Sequence, residues 1–276
     1  MEDVPDMTMH PGRAIQLADH RTAVTQRGDS GPPVLLVHSL GLDRRMWEPV
    51  LAQLSIGRRL FAYDIRGHGA AAESPRPFSL ADTAADLVGV LDGLGLDQAQ
   101  VVGLSYGGAI AQTAAVAYPE RFAALALLAT TDQPFPDVFE ERARSAEADG
   151  MEAQLEPSLA RWFTPEAVDS WGARYARECL LRADPENWAA AWRSMKELDV
   201  RGRLAGFEAP TLVLAGGADV SGPPAFQKEI AGRIPGSTFQ ELPGVPHMQT
   251  LEKSELVVQA LDEFLASGPQ GTLSVP

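Results

Sequence analysis

Short apolar runs alternate along the chain with stretches of helical period. The runs "AVTQ", "VLLV" (Val34 to Val37), "LFAYD", "QVVGL", "ALALLA" (Ala124 to Ala129), "TLVLAG" and "TFQEL" read as strands. Between them, amphipathic spacing predicts helices over Trp47–Leu54, Leu80–Leu94, Tyr106–Ala117, Ala225–Ile234 and Ser254–Leu265. Near-continuous apolar strands separated by helices predict a mainly parallel sheet covered on both faces. Between Thr131 and Phe207 the rhythm changes. That stretch is helical, charged and without a clear strand, yet it carries Trp162, Trp171, Trp188 and Trp192 out of the chain's 5 tryptophans. It reads as a helical insertion between two strands of one sheet.

Composition narrows what such a sheet can serve. With 276 residues, 45% of them hydrophobic and 22% charged, the chain reads as an ordinary globular protein of one or two domains. A net charge of -14 disfavours nucleic acid and anionic membranes as partners, because both select for a Lys/Arg excess. No run approaches the roughly 18 apolar residues of a membrane span. The start, "MEDVPDMTMHPG", is acidic and contains proline, unlike a signal or transit peptide. A single cysteine, Cys179, allows no internal disulfide and fits a reducing cytoplasm, the expected location. Cys179 sits in the helical pattern "YARECLLRAD" and is expected to be a packing residue. A homodimer is compatible with the sequence, which does not fix an oligomeric state. No HExxH or clustered ligand spacing supports a metal site.

The chemistry concentrates at "VVGLSYGGAIAQ", where a strand turns into a helix across one serine, Ser105, set between Gly103 and Gly107. In G-x-S-x-G the backbone turns so sharply that strand and helix nearly touch, and only glycine fits two residues either side of the serine. A chance match in a chain with 25 glycines is the bland alternative. The apolar strand before the motif and the helix after it favour a nucleophile. A serine hydroxyl needs a positioned base. Of the five histidines, His10 lies in the terminus, His20 in an early turn, His38 at a strand end and His68 in "YDIRGHG". His38 is expected to support the turn beneath the site and His68 to brace a loop. His247, in "LPGVPHMQTLEK" between the last strand and the last helix, lies on the sheet edge where Ser105 emerges and late enough in the chain to be the base. The acid that orients the imidazole is Asp219 after "TLVLAGG" or Asp132 after "ALALLAT", with Asp219 preferred. Two backbone N–H groups must hold an oxyanion: Tyr106, at the helix start, and Leu40, in "HSLG".

"LLVHSLGLDRRMWEPV", "YDIRGHG", "GLSYGG", "VLAGGADVSGPP" and "PGVPHM" resemble, in order and spacing, the α/β-hydrolase family over about residues 12–267. Within it the chain is most similar to the 3-oxoadipate enol-lactonases and related bacterial carboxylesterases, through "HSLGLDRRMW", "YDIRGHGAA" and "LARWFTPEAV". The resemblance implies the α/β class and the α/β-hydrolase fold: a mostly parallel eight-stranded sheet, helices on both faces and an inserted helical cap. The expected division is a core of 1–130 and 208–267, a cap of 131–207 and a disordered tail of 268–276. The resemblance further implies a Ser-His-Asp hydrolase without a cofactor, acting on a small-molecule ester or lactone through an acyl-enzyme, with Trp162 and Met248 as substrate-binding residues. Two departures from the family pattern stand out: His38-Ser39 replaces the common His-Gly, and "GGADVSGPP" lacks the usual second polar residue and proline around the acid.

The substrate remains open at this level. An enol-lactone carries a carboxylate and calls for a cation or several donors, with Arg161 and Arg44–Arg45 as candidates, whereas an uncharged ester requires none. Carbon–carbon bond hydrolysis of vinylogous diketones on the same scaffold, and a non-catalytic ligand-binding role, are the alternatives to ester or lactone hydrolysis.

Overall fold

Apolar density decides where each strand lies. The computed structural model describes residues 12–54 and 57–266, so His10 and the expected tail at 268–276 lie outside the described residues. The strands are β1 (Arg13–Gln16), β2 (Arg21–Arg27), β3 (Pro33–Val37), β4 (Arg59–Tyr63), β5 (Ala99–Leu104), β6 (Phe122–Leu128), β7 (Thr211–Gly216) and β8 (Thr238–Leu242). They form one sheet in the order β1-β2-β4-β3-β5-β6-β7-β8. In the middle, Val34 to Val37 of β3 and all of β5 are buried, as strands covered on both faces must be. β2 runs antiparallel to both of its neighbours, and every other pairing is parallel. β1 buries Ile15 alone, so its sequence "RAIQ" carries no apolar pattern to announce a strand. It exists because β2 offers it an edge. The other seven strands lie where the pattern predicts them.

The strand order also assigns the helices. The chain moves one way across the sheet from β3 to β4 through α1 (Glu48–Leu54), and the other way from β4 to β5 through α2 (Leu80–Leu94) and from β5 to β6 through α3 (Tyr106–Ala117). Right-handed crossovers running in opposite directions put their helices on opposite faces. Accordingly α2 packs on α3, while α1 packs on α9 (Ser254–Ala266). The reversal falls between β3 and β5, and their carboxyl ends open a crevice there.

Between β6 and β7 the chain is helical, in α4 (Pro136–Trp162), α5 (Trp171–Arg182) and α6 (Pro185–Ser194). The α4 backbone breaks at Gly150, with φ 76° and ψ 178°, a conformation open to glycine. Cys179 is a buried thiol on α5, in keeping with a packing role. After β7 follow α7 (Pro224–Arg233), β8, α8 (Gln249–Glu252) and α9. Among the described residues no helix is long and apolar enough to cross a membrane.

One buried carboxylate ties the end of β4 to the loops around the crevice. Asp64 accepts the N–H of Arg44 at 2.8 Å, the N–H of Ala70 at 2.8 Å and the Arg44 guanidinium. Burial pushes the Asp64 carboxyl above its ordinary value although Arg44 pulls it down, so the pair positions the loops more than it stabilises them. Removing one partner of such a pair is nevertheless costly. Asp64→Ala should destabilise the fold by about 3–5 kcal/mol. Urea denaturation measures this, and a loss below about 1 kcal/mol would show that the loops do not depend on the pair.

Candidate active site

At the end of β5 the backbone has almost no room. A Cβ on Gly107 would lie 2.1 Å from the Val37 carbonyl oxygen, and one on Gly103 would lie 2.4 Å from the Gly107 oxygen. Helix α3 can therefore approach β3 only through glycine, and the chain must reverse at the residue between. That residue, Ser105, has φ 55° and ψ -113°, a left-handed conformation that costs a non-glycine residue about 1–3 kcal/mol. Its N–H donates to Leu128 O at 2.8 Å, and the Thr130 hydroxyl donates to its carbonyl at 2.8 Å. The strained conformation is thus held from β6.

Ser105 Oγ lies 3.0 Å from His247 Nε2, and His247 Nδ1 lies 2.8 Å from Asp219 Oδ2. A carboxylate only accepts, so Nδ1 carries the proton and Nε2 is left to accept from the serine hydroxyl. The other oxygen, Asp219 Oδ1, accepts the N–H groups of Ser221 at 2.7 Å and Gly222 at 2.9 Å. Burial raises the Asp219 carboxyl, but His247 and these two N–H groups outweigh it and hold the acid below its ordinary value. Asp132 is elsewhere: its carboxylate meets Arg233 at 2.7 Å, and its carbonyl accepts from Val200 N–H. Of the two candidate acids, the fold brings Asp219 to the imidazole.

The loop after β3 carries Leu40 and is shaped by two buried histidines. His38 donates from Nδ1 to Ser39 O and accepts the Ile65 N–H at Nε2, at 2.8 and 2.9 Å. His68 donates from Nδ1 to Arg66 O and accepts the Gly41 N–H at Nε2, both at 3.0 Å. Each ring thereby fixes one end of the segment around Leu40, which matches the supporting roles expected of them. Among the described residues no protein acceptor takes the N–H of Leu40 or of Tyr106. The Tyr106 N–H belongs to the first turn of α3, whose donors have no partner within the helix. The Tyr106 hydroxyl meets Ser194 Oγ at 2.9 Å and so links the start of α3 to α6.

Leu40, Ser105, His247 and Trp162 all line one cavity of about 90 Å³. Most of its remaining wall comes from the helical stretch, including Phe135, Phe139 and Trp192, with Phe226 of α7 completing it. Trp162 is buried and is also part of this wall. Met248 lies elsewhere. It is fully buried in the core and is not among the lining residues, because its N–H donates to Trp162 O and the side chain turns into the packing instead. Of the candidate cations, Arg44 is tied to Asp64 and Arg45 to Asp43, whereas Arg161 lines the cavity. Arg142 lines it as well. In "FEERARSAE" Arg142 looks like one more solvated helix charge, and only the packing of α4 against α6 reveals it. Elsewhere, Asp19, His20 and Asp86 gather as a metal-ligand set could, but Arg66 already bridges both carboxylates, at 2.9 and 2.8 Å.

The chain belongs to the α/β-hydrolase family: the family model described as alpha/beta hydrolase fold matches residues 32–254. It is 27% identical over 243 residues to 3-oxoadipate enol-lactonase 1 of Acinetobacter baylyi, a match covering 87% of this chain and 90% of that one. It is 31% identical over 248 residues to a pimeloyl-[acyl-carrier protein] methyl ester esterase of Chromobacterium violaceum, covering 85% and 94%. The enol-lactonase from Burkholderia xenovorans LB400 superposes with a TM-score of 0.88 at 28% identity, over 92% of this chain and all of that one. The resemblance carried by the motifs is borne out.

The histidines under the Leu40 loop generate a prediction. Burial lowers both His38 and His68 from 6.5 to about 4, and for His68 the neighbouring His38 adds to the effect. Between these values the unfolded chain binds protons that the fold refuses. Stability is therefore full above pH 6.5 and is lost as the pH falls toward 4, on the order of 3 kcal/mol for each ring. Melting temperature should drop steadily across that window and less steeply in His68→Gln. A flat profile down to pH 4.5 would mean that the rings are not held neutral.

Proposed function

We propose that the protein is a serine hydrolase of small carboxylic esters or lactones. One observation carries this reading: the hydrogen-bonded chain from Ser105 through His247 to Asp219, opening on a mostly apolar cavity. Ser105 Oγ attacks the substrate carbonyl while His247 Nε2 takes its proton, and Asp219 stabilises the imidazolium that forms. The tetrahedral oxyanion lies against the N–H groups of Leu40 and Tyr106, each such donor being worth about 3 kcal/mol in the transition state. Collapse returns the proton to the departing oxygen and leaves an acyl-serine. Water then attacks the acyl-serine by the same route, and the carboxylic acid leaves.

The helical stretch 131–207 acts as a cap. It supplies Trp162 and most of the aromatic wall and so shapes which acyl groups fit, while the groups that make and break bonds come from the sheet. The names of the relatives, an enol-lactonase and a methyl ester esterase, support ester or lactone cleavage over carbon–carbon cleavage.

Ser105→Ala should lower kcat on short p-nitrophenyl esters by at least about 10³-fold with the melting temperature preserved, and should abolish labelling by a fluorophosphonate. Near-normal turnover in this variant would end the proposal. The acid is tested separately. Asp219→Asn should cost up to about 10⁴-fold in kcat by favouring the wrong imidazole tautomer, whereas Asp132→Asn should affect activity mildly. The opposite ranking would assign the acid to the end of β6.

A further inference from the structure

In a chain with 37 acidic and 23 basic residues, arginines normally find carboxylates. Two that line the cavity do not. Arg161 has the Ser158 hydroxyl at 3.2 Å, and Arg142 lies 4.5 Å above the Trp192 ring, but neither forms an ion pair among the described residues. Glu141, the acid whose charge Arg142 feels, is exposed to solvent. Burial pulls the Arg142 guanidinium down to about 10, with the like charge of Arg161 adding to the effect, and burial lowers Arg161 as well. Two cations share an apolar cavity and repel one another, an arrangement that an anion between them would relieve.

The aromatic wall leads to the same place. Phe226, 40% exposed, stacks on Phe135 with ring centres 6.2 Å apart. Phe135 meets Phe139 at 6.0 Å, and Phe139 stacks on Trp192 at 5.5 Å, directly beside Arg142. These ring contacts run without a break along the cavity wall from an exposed phenylalanine to a guanidinium. Its place over the Trp192 ring positions the guanidinium while leaving its N–H groups available. Trp192 Nε1 adds a buried donor with no acceptor among the described residues.

We propose that the substrate carries a carboxylate, that Arg142 and Arg161 hold it, and that these two residues select anionic esters or lactones over neutral ones of the same size. The inference rests on the reading of Ser105 as the nucleophile of an ester or lactone hydrolase. A planar carboxylate matches the guanidinium fork, and the -14 net charge makes local capture, not long-range attraction, the source of selectivity.

Monomethyl glutarate and methyl pentanoate have the same length and differ by one charge, so the ratio of their kcat/KM values isolates the carboxylate. Wild type should favour the glutarate ester by at least about tenfold. Arg142→Met and Arg161→Met should each lower that ratio at least about tenfold, and Arg142→Lys should recover part of it, because it keeps the charge without the fork. Calorimetric binding of glutarate, which cannot be hydrolysed, should weaken in step. Inorganic phosphate should bind less tightly than glutarate. A wild-type ratio at or below one, no glutarate binding at millimolar concentration, or phosphate binding as tightly as glutarate would each overturn the proposal, even if no variant folds. Arginine-dependent glutarate binding without cleavage of any ester would uphold this subsite and sink the nucleophile reading. Cleavage without a charge preference would do the reverse.

Discussion

A side chain at Gly107 would strike the carbonyls of Val37 and His38, and this lack of space organises everything around it. Because α3 lies so close to β3, the chain can turn only at Ser105, and only in a left-handed conformation. The same closeness puts the start of α3 beside the loop after β3. Leu40 and Ser105 thereby come to line the same cavity, with Tyr106 the next residue after the serine. The strain at Ser105 persists because it is over-determined: Leu128 and Thr130 hold its backbone from the next strand, and the glycines leave it no alternative path.

Around that corner two kinds of buried polar group do different work. Beneath the Leu40 loop, His38 and His68 are neutral and fully bonded, and Asp64 with Arg44 clamps the adjoining turn. These groups are satisfied among themselves and hold shape. In the cavity, the hydroxyl of Ser105 faces an imidazole and two guanidinium groups form no ion pair among the described residues, so polar capacity is left over. A folded chain usually satisfies its buried polar groups, and capacity left over in a cavity marks where a ligand belongs.

The helical stretch is bound into this arrangement. Met248 N–H donates to Trp162 O at 3.0 Å, the Thr164 hydroxyl donates to Glu252 at 2.7 Å, and the Tyr106 hydroxyl meets Ser194. The loop bearing His247 and the first turn of α3 are therefore each tied to the helices that wall the cavity.

The strands and helices of the core were legible because each is dictated locally. Short, near-continuous apolar runs between turn residues read as strands covered on both faces, and G-x-S-x-G describes a steric requirement met within five residues. His247 followed from its place on one sheet edge, which strand order alone determines. β1 was not legible, since "RAIQ" acquires its strand from pairing with β2 and not from its own pattern. The choice between Asp219 and Asp132 needed the tertiary structure, because both end strands on the same edge and only their partners, His247 and Arg233, distinguish them. The places of Arg142 in the cavity wall and of Met248 in the core were not legible, for the same reason. An arginine in a charged helix and a methionine beside a histidine look alike whether they face a cavity or not, and which way each points is set by residues far away in the chain. Chemistry confined to one turn was written in the sequence, while chemistry assembled from separate helices was decided by how they packed.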